Sequence, residues 1–148
     1  MIKSICTVTV VLVCCLSCKQ DGSKDTSGVF NPNGDSELAL LMRDMFKDGM
    51  QVKQQLLDGK APVVACDFQK IYTAEATQPE KVASPQFAVM ASSYERTVKT
   101  LQAAQPENRV TAYNYMVDAC MQCHQTMCPG PMVKIRKMYL TEAEVNVN

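Results

Sequence analysis

Near the C-terminal end of this 148-residue chain stands Cys120-Met121-Gln122-Cys123-His124, and no other stretch limits the fold so tightly. Positions i, i+3 and i+4 share one helix face about one turn apart. The two thiols and the imidazole can therefore act together only if the segment is helical. Cys-x-x-Cys-His at this spacing is the attachment pattern of a c-type haem. Cys120 and Cys123 would each add across one haem vinyl group as a thioether, and His124 would meet the iron from the proximal side. His124 is the chain's only histidine, so no second imidazole is available for the opposite face.

Other chemistries use similar letters. A dithiol redox pair wants a strand-turn-helix of thioredoxin type, whereas the flanks here read as helix. A zinc site could recruit Cys120, Cys123, His124 and Cys128, yet tetrahedral zinc normally takes spaced pairs of ligands. Adjacent Cys123 and His124 would be awkward chelators together. A chance match also has to be weighed in a chain with eight cysteines, and the export signal below weighs against it.

Residues 1–17 read as a secretory leader: Lys3 is the charged start, Ile5 to Leu16 the apolar run and Ser17 the small residue before Cys18. The run is too short to span a bilayer. Cys15-Leu16-Ser17-Cys18 resembles a bacterial lipoprotein cleavage box, which makes Cys18 the lipidated residue and leaves Cys6, Cys14 and Cys15 in the discarded leader. The alternative is ordinary cleavage and a soluble periplasmic protein. Residues 18–35, with Gly22, Ser23, Ser27, Gly28, Pro32 and Gly34, read as a flexible tether lifting the rest off a membrane. Acidic and basic residues balance at fifteen each, so no electrostatic argument favours nucleic acid.

Residues 36–148 read as one haem-binding helical domain. A first helix opens at Asp35 or Ser36 with Leu38, Leu41, Met42, Met45, Gly49, Val52 and Leu56 on its inner stripe, and ends at Gly59. Gly49 costs that helix about 1 kcal/mol relative to alanine, so something bulky, a haem or a neighbouring helix, is expected to come close there. A second helix is expected over Val64 to Glu75. Ser84-Pro85 starts a third through Phe87, Met90 or Ala91, Tyr94, Val98 and Leu101. A fourth opens at Pro106-Glu107 and carries Val110, Tyr113, Val117, Cys120 and His124 until Cys128-Pro129-Gly130-Pro131 breaks it. A short last helix covers Met132 to Leu140. The pattern predicts an all-α antiparallel four-helix bundle with a short extra C-terminal helix.

At this point the chain resembles the cytochrome c′ family, in which Cys-x-x-Cys-His lies near the C-terminus on the fourth helix. The resemblance covers about residues 36 to 127. It differs in the Pro-Gly-Pro break after the motif, the long loop between the second and third helices, and the extra pair Cys66 and Cys128. The resemblance implies one covalently attached haem c, with a residue of the first helix over the opposite iron face. Met42 is the first choice there because it lies nearer the helix start; Met45 is the alternative.

A methionine-closed iron makes an electron carrier of the cell envelope, working with redox partner proteins and anchored to the membrane through lipid. An open iron makes a high-spin binder of nitric oxide or carbon monoxide. Enzyme chemistry is not expected, because no distal histidine and arginine pair is present for peroxide and Arg43 reads as a solvated helix residue. Homodimer formation, common in relatives, stays open. By elimination the remaining cysteines of an exported domain, Cys66 and Cys128, are candidates for a disulfide; two free buried thiols are the equal alternative.

Overall fold

The computed structural model describes residues 35–145. The leader 1–17, Cys18 and all of the 18–35 tether except Asp35 lie outside the described residues. Among the described residues every regular element is helical: α1 (Glu37–Leu57), α2 (Pro79–Val82), α3 (Pro85–Ala103), α4 (Arg109–Met127), α5 (Met132–Ile135) and α6 (Glu142–Val145), with short 3-10 turns between. The all-α class is as expected. No helix among the described residues is long and apolar enough to cross a membrane.

The long helices start and stop where local chemistry dictates. Ser36 caps α1, its Oγ accepting from the Ala39 N–H at 3.3 Å, and Ser84 caps α3 by accepting from Phe87 N–H at 3.2 Å. Gly59, with φ +69°, closes α1 in the left-handed region that a side chain disfavours. The buried faces follow the expected stripes: Leu41, Met45, Val52 and Leu56 on α1, Phe87, Ala91, Tyr94, Val98 and Leu101 on α3, and Tyr113, Met116 and Val117 on α4. Burying each such side chain is worth about 1.5–3 kcal/mol.

The expected second helix over Val64 to Glu75 is not formed. The chain there is a strap with one 3-10 turn, Phe68–Tyr72. Side chains of α1 hold the segment down instead, by accepting from its backbone N–H groups. Gln55 Oε1 accepts from Val63 N–H at 2.8 Å, Asp48 Oδ1 from Ala65 N–H at 3.1 Å and Glu37 Oε2 from Glu75 N–H at 3.2 Å. These partners run backwards along α1 as the strap runs forwards, so the strap lies antiparallel to α1. Its other edge meets α3, where Phe68 packs edge-on against Tyr94 with centroids 6.0 Å apart and Tyr72 donates to Glu95 at 2.7 Å. The domain therefore has three long helices, and the strap supplies the return leg assigned to a fourth.

The C-terminal segment does more than append a helix. It wedges between α1 and α4. Asn114 donates to Leu140 O and accepts from Leu140 N–H, pairing with it as a neighbouring strand would. Lys53 Nζ donates to Tyr139 O at 2.6 Å and pairs with Glu144 at 3.1 Å. The buried Tyr113 hydroxyl lies 3.0 Å from both Gly49 O and Met138 O, and its one proton serves one of them at a time. A Cβ on Gly49 would collide with the Met138 methyl. The close approach that Gly49 permits is thus made by Met138, not by another long helix.

Candidate functional site

Helix α4 carries the Cys120-to-His124 motif on its last two turns, and all three functional side chains are half-buried. Cys120 looks inward. Tyr94 of α3 is held protonated mainly by burial, with Cys120 and then Cys66 adding to it. Burial, with Cys123 adding, pushes the Cys120 thiol up to about 12. Burial raises Cys123 as well, with Cys128 adding. Both motif cysteines are therefore neutral thiols near pH 7. A dithiol exchange pair needs the opposite, a thiol lowered into the physiological range.

His124 is the best-defined member. Its Nδ1 lies 2.9 Å from Cys128 O. A carbonyl can only accept, so Nδ1 carries the proton, and in the neutral ring it is Nε2 that keeps the lone pair. That is the tautomer an iron-binding imidazole uses, with its second nitrogen held by a backbone oxygen.

Met42 and Met45 differ in environment. Met45 is buried in the core at 8% exposure, whereas Met42 is half-buried. Met42 and Gly49 are seven residues apart and share one stripe of α1. Gly49 faces Tyr113 and Met116 of α4. Because α4 runs antiparallel to α1, stepping back from Gly49 to Met42, about 10 Å at 1.5 Å per residue, corresponds to stepping forward along α4 to Cys120 and Cys123. Met42 is thus level with the motif, and Met45 is committed to packing.

The Cys66–Cys128 disulfide is not formed: Cys66 on the strap is a free thiol, and Cys128 stands at the C-cap of α4. The zinc alternative also loses its cage: no three His, Cys, Asp or Glu side chains among the described residues converge on a metal position. Arg43 pairs with Asp35 at 2.6 Å, as a solvated helix residue does.

Two groups near the site escaped the sequence reading. Asp48, absent from the inner stripe expected for α1, is buried at 7% exposure as the strap's anchor; its spacing from Met45 and Val52 already placed it within the stripe. Lys81 donates to Met127 O at 3.0 Å, capping the end of α4 one residue before Cys128. Nothing in its local pattern marks that role.

The donor set fits a haem c: two neutral thiols one turn apart and a neighbouring imidazole whose tautomer leaves Nε2 for iron. Comparison of the chain with protein families, curated proteins and solved structures gives no match.

Proposed function

We propose that this chain is a mono-haem c-type cytochrome that carries electrons in the bacterial cell envelope. Haem c would be held covalently through Cys120 and Cys123, with His124 as the proximal iron ligand. The observation that carries the reading is the His124 Nδ1 to Cys128 O contact at 2.9 Å, one turn from two thiols on the same helix. When bound, haem supplies a one-electron couple whose potential its axial ligands set.

The chain's own residues prepare the rest. Helix α4 fixes the spacing of the two thiols, and burial keeps both protonated until they react. Cys128 O orients the imidazole. Met42 on α1 is proposed as the second side chain that would hold the iron, and a thioether there would favour the reduced state. The finer architecture proposed with this is the bundle path of the cytochrome c′ kind, with the strap as its second leg. A lipid anchor at Cys18 and redox partner proteins of the envelope belong to the same proposal.

The test is an absorption spectrum of both redox states, with and without carbon monoxide, together with acid-acetone extraction. Haem that resists extraction in the wild type and is lost in Cys120→Ala/Cys123→Ala supports covalent attachment; haem retained by that double variant overturns it. Low-spin bands unmoved by carbon monoxide, becoming high-spin and gas-sensitive in Met42→Ala, support the electron carrier. High-spin, gas-sensitive bands in the wild type would replace it with an open binder of nitric oxide or carbon monoxide.

A further inference from the structure

The Pro-Gly-Pro break directly after the motif does more than end a helix. In a continuing α-helix the carbonyl of residue 128 would point forward along the axis, while side chains tilt back towards the N-terminus. His124 could not then reach the carbonyl four residues ahead of it. The contact exists because Cys128 leaves the helix, with φ −158° and ψ 79°, and its peptide plane is turned. The cause is local. A residue before proline is driven out of the helical region by the proline ring, towards extended geometry. Pro129 also lacks the N–H that would have continued the ladder.

Two neighbouring acceptors at this end have other donors. His124 O accepts from Cys128 N–H at 3.1 Å, and Met127 O accepts from Lys81. Cys128 O, turned back by the proline, is the acceptor that meets the ring. Pro131 stands two residues further on, at the start of α5, and has no part in the geometry of residue 128.

We infer that Pro129 is a positioning residue for His124: by forcing Cys128 out of the helix it supplies the carbonyl that fixes the Nδ1–H tautomer and aims Nε2 outward. The inference rests on the haem reading for its purpose, but its geometry can be tested without haem. A backbone acceptor on Nδ1–H makes the imidazole a more basic ligand. In the loaded protein that favours the ferric state and lowers the potential.

The experiment compares the full chain with Pro129→Ala and Pro131→Ala by long-range 15N NMR of the imidazole, in protein made without haem attachment. His124 is the only histidine, so its ring signals need no assignment. The wild type is expected to show Nδ1–H with an unprotonated Nε2, Pro131→Ala to match it, and Pro129→Ala to shift towards the Nε2–H form that free imidazole prefers. An Nε2–H wild type, an unchanged Pro129→Ala, or a Pro131→Ala shift as large as that of Pro129→Ala would each overturn the inference. Circular dichroism shows whether the haem-free chain keeps its helices. If it does not, the same three proteins are compared loaded and reduced, reading exchange of the Nδ1 proton, which should quicken in Pro129→Ala alone. The midpoint potential should rise in Pro129→Ala and stay put in Pro131→Ala. Loss of haem binding altogether would sink the proposed function while leaving the tautomer result standing.

Discussion

Gly49 and Met138 offer a quantitative test of how α1 is held against the motif helix. Glycine inside α1 costs about 1 kcal/mol relative to alanine, so Gly49→Ala would ordinarily stabilise. Here the added methyl collides with the terminal methyl of Met138, a side chain only 2% exposed. Overpacking of a filled core costs about 1–3 kcal/mol, so in the wild-type background the substitution should range from neutral to a loss of about 2 kcal/mol once the helix gain is subtracted. Met138→Ala alone removes a buried side chain and should cost about 2–5 kcal/mol. With Met138 gone the collision is gone, and Gly49→Ala should then stabilise by about 1 kcal/mol. The gain from one substitution therefore appears only when Met138 is absent. Urea denaturation of the four proteins reads this as a midpoint shift of about 0.3–1 M at slopes of about 1–3 kcal/mol per M. Equal stabilisation by Gly49→Ala in both backgrounds would refute the argument, since Met138 could not then occupy the notch. Haem loss in both Gly49→Ala proteins would point instead to the haem as the group that needs the glycine.

Two further outcomes follow from the geometry. Asp48→Ala removes the acceptor for Ala65 N–H and should cost about 1.5–3 kcal/mol, the range for a hydrogen bond to a charged group, with new protease cleavage in the strap between residues 60 and 66. Asp48→Asn, which keeps an acceptor, should cost less, and equal resistance of all three proteins to cleavage would contradict the strap. Cys18→Ser should move the protein from the membrane fraction to the soluble periplasm, because acyl anchoring contributes about 0.8 kcal/mol per buried methylene; wild-type protein already soluble would remove the lipoprotein reading.

Much of the scaffold was legible because its signals are local and redundant. Ser36 and Ser84 are caps, Gly59 is a stop, and the α3 stripe recurs as Phe87, Ala91, Tyr94, Val98 and Leu101, each buried as its spacing requires. The motif was legible for the same reason: its three side chains share a face on any helix. Between Met42 and Met45 the sequence offered only position near the helix start; in the fold Met45 is buried at 8% exposure and Met42 is half-buried.

The second leg was not legible, and the reason is competition rather than missing information. Phe68, Ile71 and Tyr72 have helical spacing, and Ile71 is buried. The same apolar contacts, however, can be made by a single 3-10 turn. What holds the strap is three side chains of α1, which accept from the backbone N–H groups of Val63, Ala65 and Glu75. A pattern read within one segment cannot contain acceptors that lie on another. The wedge escaped for the same reason, since Lys53 and Asn114 look like ordinary polar-face residues until the carbonyls of Tyr139 and Leu140 arrive. His124 shows the converse. Its partner is four residues away, so Pro129 encodes the contact within the segment itself, and the proline that reads as punctuation is also what sets the ring.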